Sequence, residues 1–321
     1  MAEASKPVIV VSEPLSDRAL EYLRRHGEVR QVPPEAAADA VAEADALVVR
    51  TYTQVDEALL ARAARLKVVG RAGVALENID VAACRARGIE VVHTPAANTL
   101  AVVDFTIGLL IQLNRRFWPI AGPVTAEQFH AARAQAFGCF LADRTLGIIG
   151  CGRIGSRVGR AAAALGMTVL YNDILDINVD SPAEAVDKPA LYSRSDIISI
   201  HVPATPLTVK MINAETIAQF KPGAQFINTA RGQCVNYRDL ADAIRSGQVS
   251  ACAIDCHDPE PPPPDYPMFA VMGENVILTP HVAARVPAAM EGMSDVVFDV
   301  VRVLAGEAPE YPAPIEAAPS D

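Results

Sequence analysis

Short apolar runs alternate along the chain with segments that have the hydrophobic spacing of helices. In the first hundred residues, the runs rich in β-branched residues that predict strands are Val8–Val11, Ala46–Val49, 66–69 and 89–92. Helical patterns separate these runs, and strands that alternate with helices are typical of a parallel sheet covered on both faces. The first hundred residues therefore predict an α/β domain.

A longer apolar segment at 99–115 predicts one helix, and it is too short and too polar at its ends to span a membrane. A second alternating series begins at residue 145. Its predicted strands are 145–150, 168–173, 196–201, 225–229, 251–255 and 276–280. An amphipathic helix is predicted over 287–304. The chain as a whole is thus predicted to form two doubly wound parallel-sheet α/β domains.

A glycine-rich turn opens the second series. Gly150, Gly152 and Gly155 follow a predicted strand and open a helix, and Asp173 ends the next strand. The first glycine allows a tight bend, the second lets the backbone approach a pyrophosphate, and the third lets helix and strand pack closely. The helix N-terminus offers N–H groups to phosphates. An Asp173 carboxylate would bind ribose hydroxyls and repel a 2′-phosphate, so the motif predicts an NAD site.

Almost every predicted strand of the second series ends on a glycine or a polar residue. Because ligands of open parallel sheets bind beyond the carboxyl ends of the strands, these residues are expected at one edge with the cofactor. They are Gly150, Asp173, His201, Thr229, Ala230, Arg231, Asp255, Pro280 and His281.

Three residues at this edge have the chemistry to reduce a ketone with a hydride from nicotinamide. His281 can supply the proton, because its ordinary pKa lies near neutral pH. Glu260 would hold His281 protonated, and Arg231 offers paired donors to a carboxylate and a carbonyl oxygen. Each has a plainer reading, as a sheet-edge cap, a solvated loop residue or a surface turn. The prediction therefore depends on the expectation that all three residues lie together at one edge of the sheet.

The composition limits which partners and which cellular compartment are expected for this protein. The 321 residues carry a formal net charge of -10, with no basic stripe of the kind that binds a nucleic-acid backbone. The sequence has neither an apolar run long enough for a membrane span nor the layout of a signal peptide, so a cytoplasmic protein is expected. Six scattered cysteines favour reduced thiols over disulfides, and no metal site is predicted.

The chain resembles the D-isomer-specific 2-hydroxyacid dehydrogenases, a family that includes the D-3-phosphoglycerate dehydrogenases, over nearly its whole length. The motifs of the resemblance are LKVVGRAGVALENID (66–80), TLGIIGCGRIG (145–155), HVPATPLT (201–208), INTARG (227–232), AIDCHDPEP (253–261) and ILTPHVAA (277–284). The resemblance implies an NAD-dependent oxidoreductase that moves a hydride between nicotinamide and C2 of a small D-2-hydroxy or 2-keto acid. Because the chain ends at residue 321, we expect none of the C-terminal regulatory domains of longer family members.

The resemblance also implies an architecture and an assembly. A flavodoxin-like substrate domain is expected over residues 1–100 and 287–321, with a Rossmann NAD domain inserted over residues 101–286 and a cleft between the two. Family members are commonly homodimers that associate through the NAD domain, so a homodimer is expected.

The family's catalytic Arg, Glu and His correspond to Arg231, Glu260 and His281. The predicted cofactor contacts are Gly150, Gly152, Arg153, Ile154, Gly155, Asp173, His201, Val202, Pro203, Thr208, Thr229, Ala230, Arg231, Asp255, His281, Ala283 and Ala284. The predicted substrate contacts are Arg50, Arg71, Ala72, Gly73, Val74, Asn98, Arg231 and His281.

The chain departs from the family pattern at several positions. The usual Asp-Val-Phe reads Asp255-Cys256-His257, which places an extra titratable group near the predicted site. Arg285 follows the His281 segment and could either reach the substrate or face water. His93 stands where many relatives carry Asn, with no predicted consequence.

Two other functions stay open. An NAD-sensing, corepressor-like binding protein of the same fold would not need the full Arg, Glu and His set that this chain retains. A formate or phosphite dehydrogenase would keep the fold and oxidise a different substrate, although formate-oxidising relatives carry Gln at the position of Glu260. Arg50 and Arg71 favour a substrate with a second anionic group, but neither the acid nor the direction of the reaction follows from the sequence.

Overall fold

The computed structural model describes residues 6–117, 119–273 and 275–314. Contacts divide the chain into two compact units, the first formed by Met1–Asn98 with Arg285–Asp321 and the second by Thr99–Ala284. The predicted domain boundaries fall two residues from these divisions, and the roles given to the two domains remain predictions.

The two units contain the following strands and α-helices. The strands are β1 (Val8–Val11), β2 (Glu28–Gln31), β3 (Ala46–Val49), β4 (Val68–Arg71), β5 (Glu90–His93), β6 (Thr145–Ile149), β7 (Thr168–Asn172), β8 (Glu184–Ala185), β9 (Ile197–Ile200), β10 (Ala224–Asn228), β11 (Val249–Ile254) and β12 (Val276–Leu278). The α-helices are α1 (Asp17–His26), α2 (Ala37–Ala40), α3 (Glu57–Leu60), α4 (Val81–Ala86), α5 (Thr99–Asn114), α6 (Ala126–Gln135), α7 (Gly155–Ala164), α8 (Lys188–Arg194), α9 (Ala214–Ile217), α10 (Tyr237–Ser246), α11 (Pro287–Ser294) and α12 (Val296–Leu304).

The first unit is built on a five-stranded parallel sheet in the order β2-β1-β3-β4-β5. Strands β1, β3 and β4 are buried along their whole length, as their unbroken apolar runs predict. Helix α12 packs against β4, where a Cβ on Gly70 would lie 2.5 Å from a methyl carbon of Val300. Glycine at this position therefore lets the helix lie close to the sheet.

The second unit is built on a seven-stranded parallel sheet in the order β12-β11-β10-β9-β6-β7-β8. The chain runs outward from β6 to one edge, returns to β9, and runs outward to the other edge. The carboxyl ends of β6 and β9 therefore form the switch point at which ligands of such sheets bind. Helix α5 packs on β10, β11 and α7. The predicted fold class, two parallel-sheet α/β domains, is confirmed.

Strands β2 and β8 and helix α6 were not predicted, and one predicted helix has different bounds. Strands β2 and β8 each pair with one neighbour only and are largely exposed, so a polar sequence such as Glu28–Gln31 suffices for them. The single helix predicted over 287–304 is wrong, since α11 and α12 meet at Asp295. There the N–H of Asp295 donates to the carbonyl of Gly292, three residues earlier, instead of to the carbonyl four residues earlier as in an α-helix. This hydrogen bond separates the two helices.

None of the helices in the described ranges has the length and apolar character needed to span a membrane.

Candidate active site

The glycine-rich turn follows β6 at the switch point of the second sheet. Gly150 has φ +88°, and a Cβ on it would lie 2.7 Å from the carbonyl oxygen of His201, so only glycine fits. A Cβ on Gly155 would lie 2.0 Å from the carbonyl oxygen of Gly150, which explains how α7 begins so close to the strand. A Cβ on Gly152 would meet no described heavy atom within 4 Å, so the backbone there is open to a ligand. The turn thus fits a dinucleotide pyrophosphate.

Asp173 lies just beyond the end of β7 and fixes this turn. One carboxylate oxygen accepts the N–H of Cys151 at 2.7 Å, and the other accepts the N–H of Leu175 at 3.0 Å. An ionised carboxylate offers about four acceptor sites, so Asp173 can also bind ribose hydroxyls. Asp173 therefore has a structural role that was not predicted, and its contact with ribose stays a prediction. Arg153 and Ile154 lie in the same turn before α7.

The segment after β9 carries His201, Val202, Pro203 and Thr208. The Thr208 hydroxyl donates to the carbonyl of Pro203 at 2.6 Å and accepts the N–H of Thr205 at 2.8 Å, so it closes the segment into a compact loop. Burial lowers the pKa of His201 to about 4. His201 is therefore neutral at pH 7 and unsuited to donate a proton.

The turn after β10 carries Thr229, Ala230 and Arg231, and the buried Asn228 holds it. The Asn228 side chain accepts the N–H of Ala230 at 3.0 Å and donates to the carbonyl of Arg231 at 2.9 Å. The hydroxyl of Thr229 lies 2.8 Å from that of Thr106 on α5. Sequence reasoning missed Asn228, although a side-chain amide that mimics a turn is a known property of Asn at the end of a strand.

The turn that carries Arg231 contacts the loop after β11. A Cβ on Gly232 would lie 1.9 Å from the carbonyl oxygen of His257, so glycine is required for this approach. The positive charges of Arg231 and His281 both act on the thiol of Cys256, although burial dominates and raises its pKa. The structure therefore places the predicted catalytic His within 4.8 Å of this thiol, and packs the turn that carries Arg231 against the same loop.

The fully buried Asp255 determines the position of the His281 segment. Its carboxylate accepts the hydroxyl of Thr279 and the N–H groups of Val282 and Ala283, the latter two at 2.9 Å. The N–H of His281 donates to the carbonyl of Asp255 at 2.9 Å. Among the described residues, the Asp255 carboxylate binds this segment, and its predicted contact with the cofactor stays a prediction.

His281 adopts a left-handed backbone conformation with φ +52°, which is rare for a residue other than glycine. A strained backbone conformation persists only where the surrounding structure enforces it. Here the hydrogen bonds between Asp255 and the His281 segment do so. The Nδ1 atom of His281 lies 2.9 Å from one carboxylate oxygen of Glu260 and 3.1 Å from the other. Glu260 also accepts the backbone N–H of His257 at 2.8 Å, which fixes its orientation.

Electrostatics in this pair favour an imidazolium facing a carboxylate. Hydrogen bonds with Cys256 and with Glu260 raise the pKa of His281 to about 10, against the opposing effect of burial. Burial tends to raise the pKa of Glu260, but the hydrogen bonds from His281 and from the His257 N–H outweigh it and lower the pKa. At neutral pH, His281 is therefore protonated and able to donate a proton.

His257, the extra titratable residue, has a structural role. Its side chain is buried, with Nε2 2.9 Å from the carbonyl oxygen of Thr279 and Nδ1 3.1 Å from the hydroxyl of Tyr266. The ring thus joins the β11 and β12 loops, and the backbone N–H positions Glu260.

The predicted substrate contacts of the first unit lie at the end of β4 or after β3, β4 and β5. The loop 50–53 is held by the buried Glu13, whose carboxylate accepts the backbone N–H groups of all four loop residues. The side chain of Asn78 donates to the carbonyls of Arg50 and Thr53. Sequence reasoning missed both residues, because their partners are distant in sequence.

Arg50 and Arg71 are held differently. The guanidinium of Arg50 lies near the carbonyl of Pro14 and the sulfur of Met290, and burial together with the nearby charge of Arg285 lowers its pKa. The Arg71 guanidinium is buried over Gly73, where a Cβ would lie 1.7 Å from its Nη1 atom.

The rest of this loop is anchored by β3 and β5. His93, whose role had no prediction, lies with Nδ1 2.9 Å from the carbonyl oxygen of Val74. The N–H of Ala72 donates to the carbonyl of Val49 at 2.8 Å. Asn98 is half-buried and is the last residue before the second unit.

Comparisons of sequence identify related proteins. A family model described as "D-isomer specific 2-hydroxyacid dehydrogenase, NAD binding domain" matches residues 107–283. A chloroplastic D-3-phosphoglycerate dehydrogenase of Arabidopsis thaliana is 36% identical over 308 residues, which cover 94% of this chain and 48% of that protein. This chain thus spans about half the length of that relative. A hydroxypyruvate reductase of Thermotoga maritima is 34% identical over 283 residues, which cover 87% of this chain and 92% of that protein.

Solved structures show the same likeness. A crystal structure of a protein from Thermus thermophilus matches with a TM-score of 0.85 and 31% identity, over 96% of this chain and 100% of that one. A D-lactate dehydrogenase from Aquifex aeolicus, complexed with NAD and lactic acid, matches with a TM-score of 0.79 and 27% identity, over 94% of this chain and 96% of that one.

Proposed function

The chain belongs to the D-isomer-specific 2-hydroxyacid dehydrogenase family, and we propose that it interconverts a small D-2-hydroxy acid and its 2-keto acid with NAD as cofactor. The observation that carries the proposal is the hydrogen-bonded pair of His281 and Glu260, at the same sheet edge as a glycine turn that fits a dinucleotide. A proton donor beside a nicotinamide site is what the reduction of a ketone requires.

In the proposed reduction, each residue has one task. NAD(H), when bound, supplies or accepts the hydride. His281 donates its proton to the carbonyl oxygen of the substrate and takes it back in the oxidation, while Glu260 stabilises the imidazolium. Arg231 binds the carbonyl and carboxylate oxygens through its paired N–H donors. Asp255 keeps His281 in position through the backbone of its segment.

We further propose which residues hold the cofactor and the substrate carboxylate. The backbone at Gly152 and the N-terminal turn of α7 would bind the pyrophosphate, and Asp173 would bind the adenosine ribose. Backbone N–H groups of the loop 71–74 would bind the substrate carboxylate. Arg50, with Arg285 beside it, would favour a second anionic group at the far end of the substrate.

We also propose a cytoplasmic homodimer that associates through the second unit. Between α5 and β6, the chain exposes several large apolar side chains, including Phe117 at 69%, Phe137 at 85% and Phe140 at 73%. Helix α6, in the same segment, has no buried residue among those described. Exposed aromatic residues concentrated in one segment are typical of an interface with another protein. Light scattering on the purified protein should give the mass of a dimer, and a monomer at micromolar concentration would contradict this part of the proposal.

The experiment that tests the proposed activity is NADH oxidation with a panel of 2-keto acids. The panel contains hydroxypyruvate, glyoxylate, pyruvate and 3-phosphohydroxypyruvate, and the Arg231→Ala variant serves as the control for turnover at this site. We expect turnover with at least one acid and its loss in the variant. Tight NAD binding without turnover would instead favour a binding protein, and NAD reduction by phosphite or formate would favour a different dehydrogenase.

A further inference from the structure

Cys256 stands where the family pattern has Val, and the structure places its sulfur among two side chains of the proposed active site. The Sγ atom of Cys256, a carboxylate oxygen of Glu260 and a ring nitrogen of His281 all lie within 4.8 Å of one another. We propose that these three side chains form a binding site for a divalent transition metal ion of the zinc type, and that the metal inhibits the enzyme. The binding is independent of the proposed function, whereas the inhibition rests on it.

The donor set determines which class of ion the site would take. Thiolate, imidazole and carboxylate are the three kinds of ligand that proteins use for zinc, whereas calcium and magnesium require oxygen ligands. Three protein ligands leave a fourth tetrahedral position for water. Zinc and cobalt are therefore the expected ions. Sequence reasoning predicted no metal site because the three residues are not arranged in a ligand motif along the chain.

The three ligands are held in place before a metal arrives. The carbonyl of Cys256 accepts the hydroxyl of Tyr237, and its thiol donates to the carbonyl of Ala230 at 3.3 Å. Glu260 is oriented by the backbone N–H of His257, and His281 by the strained backbone that Asp255 enforces. Ligands that are already positioned lose little conformational entropy on binding, so this rigidity favours affinity.

The exposure of the site and the charge of its ligands also suit a cation. Cys256 is buried, but the side chains of Glu260 and His281 are 36% and 44% exposed, so an ion can enter from their side. Binding would release the thiol proton and the imidazolium proton, because zinc binds thiolate and neutral imidazole. The bound ion would then face one thiolate and one carboxylate, which balance its two positive charges.

Inhibition follows from the same contacts. A metal-bound His281 has lost the acidic proton of the imidazolium, and the N–H that remains on the other ring nitrogen is a much weaker acid. Glu260, as a ligand of the metal, no longer holds His281 protonated. Zinc should therefore reduce the rate of 2-keto acid reduction, and a chelator should restore it.

The test measures metal binding directly and without substrate. Cobalt is added to the purified enzyme, and the absorption band of sulfur-to-cobalt charge transfer is recorded. Cys256→Val restores the residue of the family pattern and removes only the sulfur ligand. Cys252→Ala removes a buried thiol from β11, the strand that precedes Cys256, outside the cluster, and is the matched control. We expect the band in the unmodified enzyme and in Cys252→Ala, and its absence in Cys256→Val.

A second measurement follows inhibition of NADH oxidation by zinc. Because Cys256 hydrogen-bonds His281, each variant is compared with its own metal-free rate. Loss of a direct ligand should weaken inhibition at least about tenfold in Cys256→Val, since even residues that only support a ligand contribute that much to affinity. A band that persists in Cys256→Val, or no band in the unmodified enzyme, would overturn the site. A band in a protein without dehydrogenase activity would refute the proposed function and leave the site standing.

Discussion

Replacing Glu260 by Gln keeps the shape of the side chain and removes the charge that faces His281. The Glu260 carboxylate accepts a hydrogen bond from the Nδ1–H of the imidazolium, with 2.9 Å between nitrogen and oxygen. Such a charge-assisted hydrogen bond is worth about 1.5–3 kcal/mol. Because one pKa unit corresponds to about 1.4 kcal/mol, the substitution should lower the pKa of His281 by about one to two units. The 44% exposure of the His281 side chain screens the pair and favours the lower end of that range.

The sign of the pH dependence follows from the role of His281 as the acid. Reduction needs the imidazolium, so kcat/KM should be level below the pKa of His281 and fall as pH rises through it. In the unmodified enzyme, the fall should begin only near pH 10, because the hydrogen bonds with Cys256 and Glu260 hold the pKa at about that value. In Glu260→Gln, the fall of kcat/KM should begin at least about one pH unit lower. The assay is the pH profile of kcat/KM for 2-keto acid reduction with both enzymes. Superimposable profiles would refute the assignment of Glu260.

Four further substitutions have expected outcomes. His281→Ala should lower kcat by about 10²–10⁴-fold while NADH affinity, measured by fluorescence titration, is kept, and near-normal turnover would exclude a proton-transfer role. Asp173→Ala should weaken NAD binding and allow some use of NADP, and an unchanged ratio of the two cofactors in steady-state kinetics would count against the ribose contact. Gly155→Ala should lower the melting temperature, because its Cβ would lie 2.0 Å from the carbonyl oxygen of Gly150. Gly152→Ala should instead keep the melting temperature and weaken NAD binding, and equal effects of the two substitutions would contradict their different roles.

Much of the fold could be predicted because buried parallel strands are continuous apolar runs. The central strands of both sheets, such as β6 and β9, have such runs, and so does helix α5. The edge strand β2 could not be predicted in this way, because the pairing of its backbone with β1 requires no particular side chain. The break between α11 and α12 depends on one local hydrogen bond, which leaves no mark on the hydrophobic pattern.

Residues with a proposed chemical task could be predicted better than the residues that position them. His281 and Glu260 follow from strand ends and a loop, and the structure joins them by a hydrogen bond. Asn228 and Glu13, in contrast, act through backbone groups that the fold brings to them, and no spacing in the sequence reports such contacts. The contact of Cys256 with His281 was missed for the same reason, because the two residues lie on different loops.

The most direct test of the central claim is the fate of the hydride. The enzyme is incubated with NADH deuterated at both C4 positions and with the best of hydroxypyruvate, pyruvate and 3-phosphohydroxypyruvate, whose products are chiral at C2. The product is analysed by mass spectrometry and chiral chromatography. We expect one deuterium at C2 of a product with the D configuration. A 2-hydroxy acid without deuterium at C2, or with the L configuration, would contradict it.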